Sequence, residues 1–188
     1  STRSKRLLTS KTLYVAEKLK GNRFFYPSNC DFRGRVYNVP AFLGIQGTDM
    51  SRGLLQFYRS CKIKNEKDAR WLAIHGANTF GNDKVSLDDR VKWAYDFGKI
   101  AIDIAQNPTD HLLWTEAASP WQFLAWCFEW RNYMVNKKID SFLPVNMDAT
   151  NNGLQILSML TRDEYGMQAT NVLPTSTPAD IYRVVSDK

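Results

Sequence analysis

Cysteine and histidine are scarce in this chain, and their scarcity excludes two ways of holding a small domain together. Three cysteines, Cys30, Cys61 and Cys127, and two histidines, His75 and His111, lie far apart among 188 residues, with no Cys-x-x-Cys spacing. An odd set of scattered thiols makes no disulfide framework and no structural zinc site, so a reducing compartment and three buried free cysteines are expected. Long apolar runs are missing too. Leu7-Leu8, behind the basic stretch Ser1-Thr2-Arg3-Ser4-Lys5-Arg6, is too short for a signal-peptide core, and nothing approaches the ~20 residues of a membrane span. Internal repeats and low-complexity linkers are also absent, so residues 1–188 read as one soluble, intracellular unit without an internal boundary. What is present is 44% apolar and 13% aromatic residues, enough for a real core and too many for a disordered tail. A formal charge of +6 and a pI near 9.2 suit a polyanionic partner, although charge alone does not separate a nucleic-acid binder from an ordinary basic protein.

Periodicity gives a mixed α/β chain that is mainly helical. Leu7, Leu8, Val15, Ala16 and Leu19 approximate one helical face, which Gly21-Asn22 stops. The aromatic, β-prone residues 23–37, broken by Pro27 and Gly34, read as short extended pieces around a turn. Residues 44–49 read as a polar loop and residues 52–57 as the start of something more regular. A helix over 64–78 would pack Ala69, Leu72, Ala73 and Gly76 inward. Ser86 is placed to cap a helix running to about Gln106, its hydroxyl meeting the free amide of Asp89, until Asn107-Pro108 ends it. Ser119-Pro120 opens the next helix. From Trp121 to Tyr133 only Gln122, Glu129, Arg131 and Asn132 interrupt the apolar residues, so this helix is the candidate centre of the core. Residues 142–147 alternate as a strand, a helix is predicted over about 151–162, and a loop reaches Leu173. Thr177-Pro178-Ala179-Asp180 then has the cap, first-position proline and early acid of another helix.

Asp148 is the most informative residue. A carboxylate between a strand and a helix sits at a sheet rim, where it can hold magnesium against phosphate oxygens, although an Asp in such a place more commonly serves as a turn residue or cap. The run Val145-Asn146-Met147-Asp148-Ala149-Thr150-Asn151-Asn152-Gly153-Leu154-Gln155 resembles palm motif A of the single-subunit RNA polymerases of the bacteriophage and mitochondrial type. Asp31-Phe32-Arg33-Gly34-Arg35-Val36-Tyr37 is similar to that family's Asp-aromatic-Arg-Gly-Arg-Val-Tyr signature. The resemblance continues through residues 46–55, 75–78, 119–130, 162–164 and 171–174, and so covers roughly 20–185 in one order.

The resemblance implies part of a right-handed polymerase palm, with a small antiparallel sheet and adjoining helices, and template-directed ribonucleotidyl transfer. That chemistry uses two magnesium ions, one activating the 3′-hydroxyl and one neutralising the triphosphate. Asp148 would bridge both Mg2+ ions and the Ala149 carbonyl would add a ligand, where relatives usually carry Gly. Gly153 would leave room for the 2′-hydroxyl of a ribonucleoside triphosphate, although a glycine chosen for close packing is the bland alternative. Arg33 and Arg35, with Tyr37 close by, would contact the DNA template and the RNA–DNA hybrid, since guanidinium forks grip phosphates and stack on bases; a solvated pair bridging to Asp31 is the competing reading. Arg52 and Gln46 are weaker nucleic-acid candidates of the same kind. The aromatic helix, His75 and the lysines Lys62, Lys64 and Lys67 read as core, packed histidine and solvated surface.

Motif B, with its nucleotide-binding Lys and Tyr, and motif C, a His-Asp-Ser turn, do not occur, since Gly follows His75 and Leu follows His111. One carboxylate cannot hold two magnesium ions, so this chain alone is expected to be inert. It would work with a second polypeptide carrying motifs B and C, or as part of a longer chain, in an infected host's cytoplasm or an organellar matrix. A non-catalytic nucleic-acid-binding module derived from a polymerase is the alternative.

Overall fold

The computed structural model describes residues 2–147, 151–175 and 177–186. Among these the architecture is mainly helical, with two antiparallel two-stranded sheets. Helix α1, Thr2–Leu19, leads to a hairpin of β1, Ser28–Cys30, and β2, Val36–Asn38; α2, Asp49–Gly53, and β3, Cys61–Ile63, follow. The helical unit comprises α3, Glu66–Phe80, α4, Leu87–Asp96, α5, Gly98–Gln106, a 3-10 turn at Leu112–Glu116, and α6, Pro120–Asn136. Strand β4, Ile139–Ser141, returns to pair with β3, and α7, Asn152–Thr161, α8, Glu164–Ala169, and α9, Ile181–Ser186, complete the order.

The core forms where α3 to α6 meet. On α6, Phe123, Trp126 and Trp130 are fully buried, with ring centroids 5.2 and 5.3 Å apart along the stack. Burying side chains of this kind contributes roughly 1.5–3 kcal/mol each. Trp126 fits because α3 presents Gly76: a Cβ there would stand 2.1 Å from the indole, whose N–H donates to the Leu72 carbonyl at 2.8 Å. Local signals set the helix ends. Asn65 accepts from the Asp68 amide at 3.0 Å to start α3, and Gly81, at φ +114°, ends it in the left-handed region. Ser86 caps α4 as the sequence predicts, accepting from the Asp89 amide at 3.1 Å. Buried Arg90 ties down the preceding loop by donating to the carbonyls of Asp83 and Val85 and to the Asn78 side chain.

Several elements differ from the sequence reading. The helix predicted from Ser86 to Gln106 is divided at Phe97, just before Gly98, a poor helix former at which a Cβ would stand 3.4 Å from the Trp130 indole nitrogen. The regular element near Arg52 is α2, which ends at Gly53 instead of starting at Arg52. The strand predicted over 142–147 does not form, and β4 lies just before it at Ile139–Ser141; Pro144 cannot donate to a ladder, and residues 142–147 have no partner strand among the described residues. The predicted loop to Leu173 contains α8, and the last helix begins at Ile181, with Asp180 accepting from the Tyr182 amide at 3.1 Å. Only Cys127 is buried; Cys30 and Cys61 are exposed, since each lies on a two-stranded ribbon with no layer over it. Leu7 and Leu8 are also exposed, and α1 buries Thr12 alone.

Candidate active site

A polar relay starts on α2 and ends at Asn146, two positions before Asp148. Helix α6 begins with Pro120, and its cap residue Ser119 supplies no side-chain bond. The acceptor comes from Asp49 in the first turn of α2, which takes the Trp121 amide at 2.7 Å and the Gln122 amide at 3.2 Å. A carboxylate there satisfies free amides and faces the positive end of the helix dipole. Helix α2 can approach this closely because Gly53 lacks a side chain; a Cβ would stand 2.8 Å from the Trp121 carbonyl. Asp49 also accepts from the Gln122 side-chain nitrogen at 2.9 Å, and the Gln122 oxygen in turn accepts from the Asn146 side chain. A carboxylate only accepts when ionised, so Asp49 fixes which end of the Gln122 amide faces Asn146.

Beside this relay lies a small cavity of about 40 Å³, walled largely by apolar groups such as Leu55, Leu143 and Pro144 and reached by Arg52, His75, Gln122 and Asn146. His75 is a packed histidine, and burial pushes its pKa down to about 4, so the ring is neutral at pH 7. The Arg52 Nε is buried and has no hydrogen-bond partner among the described residues. Such a donor carries a desolvation cost until something accepts from it.

The arginine-bearing hairpin is built by its own turn. Gly34 takes φ +78° and donates to the Asp31 carbonyl at 3.0 Å. The Asp31 carboxylate accepts from the Arg33 and Arg35 amides at 2.8 and 2.9 Å, so it holds backbone rather than bridging the guanidiniums. Both arginines are exposed, neither has a carboxylate partner among the described residues, and the Arg33 guanidinium lies 5.1 Å from the Phe32 ring centre. Tyr37 is exposed on β2. Gln46 braces the hairpin, accepting from the Asn38 amide at 3.0 Å and donating to the Val36 carbonyl at 2.9 Å.

Asp148 and Ala149 lie outside the described residues, and no group of three or more His, Cys, Asp or Glu side chains that could hold a metal occurs among the described ones. Gly153 stands in the first turn of α7, with no described atom within 4 Å of a would-be Cβ and no positive φ. Neither close packing nor backbone strain within the described chain accounts for it. No described helix is long and apolar enough to cross a membrane.

A family profile described as DNA-dependent RNA polymerase matches residues 62–188. The chain belongs to that family. It is 37% identical over 187 residues to the mitochondrial DNA-directed RNA polymerase of Neurospora crassa, covering 97% of this chain and 13% of that relative. Identity to the T7 RNA polymerase of Escherichia phage T7 is also 37%, over 188 residues, covering 99% of this chain and 21% of that relative. The chloroplastic/mitochondrial DNA-directed RNA polymerase 2 of Arabidopsis thaliana is 35% identical over 192 residues, covering 98% of this chain and 19% of its own. The chain thus spans about a fifth or less of the length of these polymerases.

In this chain the fold brings Arg52 and the residues leading to Asp148 to one cavity, although nearly a hundred positions separate them. Sequence reasoning missed Asp49 as a helix cap, and with it Gln122 and Asn146. The one signal available was Gln122 itself, a buried amide in a helix otherwise built for a core.

Proposed function

We propose that this chain is the first part of the palm region of a single-subunit-type DNA-directed RNA polymerase, performing template-directed ribonucleotidyl transfer once joined by the part that carries motifs B and C. Asp148 would hold two Mg2+ ions with a second aspartate from that part, the Ala149 carbonyl would add a ligand, and the ions would supply Lewis-acid and leaving-group stabilisation. Arg33, Arg35, Tyr37 and Arg52 would hold the DNA template and the RNA–DNA hybrid, while Gln46 sets the hairpin that presents the first three.

The observation that carries the reading is the open space at Gly153. Five residues past Asp148, a side chain is missing where neither the described packing nor φ requires its absence, which suits a position kept clear for a ribose. Helix α7 supports the need for a complement. Leu154, Ile156, Leu157, Met159 and Leu160 are 46–78% exposed and Ser158 alone is buried, a face that more protein would cover. The complement is either a second polypeptide or the remainder of a longer chain.

The test is primer extension on an RNA–DNA scaffold with Mg2+, using the chain with and without its complement. Extension is expected only with the complement, and Asp148→Ala should lower it at least about 1,000-fold, since a metal-bound carboxylate supports several kcal/mol of transition-state stabilisation. Normal extension by Asp148→Ala overturns the catalytic assignment and leaves a binding module.

A further inference from the structure

We infer that Gln122 and Asn146 are positioning residues for the catalytic segment, acting as a relay from the capped start of α6 to the approach to Asp148. The inference rests on the two-metal reading above and adds to it how this chain aims its carboxylate.

Residues 142–147 have no ladder of their own, so their path depends on individual anchors. Three are visible. The Phe142 carbonyl accepts from the Phe57 amide at 2.9 Å, Leu143 packs against the core, and Asn146 donates to Gln122. Asn146 is the last of these before Asp148, and the intervening Met147 is 75% exposed. Among the described residues Asn146 is therefore the last side chain that ties this run to the core before Asp148. Gln122 is suited to hold that anchor, because the residue is 5% exposed and its side chain is held by Asp49 from the opposite side. Releasing Asn146 would leave the fold standing and remove the last described anchor ahead of Asp148. Metal chemistry tolerates little displacement, since shifts of about 1 Å at a reacting centre can cost two orders of magnitude in rate.

The experiment uses the polymerase assembled with its complement, an RNA–DNA scaffold and varied Mg2+, with melting temperature measured beside the kinetics. Asn146→Ala and Gln122→Met should each lower kcat about 5- to 10-fold, the size of one lost net hydrogen bond, and raise the Mg2+ concentration for half-maximal rate while KM for nucleotide holds. The double variant should be no slower than the slower single, because both remove the same contact. Asn146→Ala should melt only a few degrees below the parent, the cost of leaving the buried Gln122 oxygen unpaired, and Asn146→Asp, isosteric but presenting an acceptor to the Gln122 oxygen, should reproduce its kinetic defect even if Gln122→Met folds poorly. An unchanged kcat and Mg2+ requirement in both Asn146 variants, or losses that multiply in the double, overturns the relay while an inactive Asp148→Ala keeps the two-metal reading. Normal extension by Asp148→Ala overturns both.

Discussion

Replacing Asp49 should unfasten α2 from α6, and the structure sets the size of the effect. The carboxylate accepts three hydrogen bonds, at 2.7 and 3.2 Å from the Trp121 and Gln122 amides and 2.9 Å from the Gln122 side chain. Loss of a helix cap costs about 0.5–2 kcal/mol, and the charge at the helix start contributes a further 0.3–1 kcal/mol or so. With the Gln122 amide left short of a partner, Asp49→Ala should destabilise the chain by about 3 kcal/mol. Asp49→Asn keeps an acceptor oxygen but not the charge, and should cost about 1 kcal/mol. For a chain of this size each kcal/mol moves Tm by about 2–4 °C, so shifts of roughly 6–12 °C and 2–4 °C are expected. Thermal melting followed by tryptophan fluorescence is the direct assay, since Trp121, Trp126 and Trp130 all lie on α6. If both variants melt within about 1 °C of the parent, or Asn proves worse than Ala, the remote-cap argument fails.

Three further outcomes follow from burial. His75 is held neutral, its pKa near 4 against an ordinary 6.5, so it contributes stability that is fully present above pH 6.5 and is lost as pH falls through about 4. The difference amounts to roughly 3 kcal/mol, and denaturant midpoints for His75→Gln should fall less than the parent's across that window. Gly76→Ala would force a methyl group into the Trp126 indole and should cost about 3 kcal/mol, read as a lowered urea midpoint. A thiol reagent should modify Cys30 and Cys61 in the native chain and reach Cys127 only after unfolding, because burial both shields that thiol and raises its pKa.

Features coded within a few residues were legible in the sequence. Ser86 before Asp89, Ser119-Pro120 before an apolar run, and Gly34 inside an aromatic stretch each announced a cap, a helix or a turn that the structure contains. Features made by tertiary contact were not. The break at Phe97 falls beside the Gly98–Trp130 packing, and the strand expected at 142–147 finds no neighbour among the described residues, neither of which a local pattern records. The exposure of Cys30 and Cys61 likewise follows from ribbons that gain no covering layer. At the candidate site, the roles proposed for Asp148, Gly153 and the paired arginines come from the family resemblance. The Asp49, Gln122 and Asn146 relay was not legible, because its members stand 73 and 24 positions apart and each looks ordinary among its own neighbours.

The pairing of β3 with β4 turns the intervening helices into an excursion that leaves and returns through one doorway. Cys61 lies opposite Ser141, and Phe57 donates to Phe142 just outside that pair. A detour of some eighty residues is reduced to one step between neighbouring strands, about 4.8 Å wide. Connections within the detour, such as residues 81–86 and 107–119, can lengthen or shorten without changing that step. Helix α2 with Arg52 and the approach to Asp148 thus keep a common register however the helical traffic between them is rerouted, which frees the surface of the detour to diverge while its doorway stays fixed.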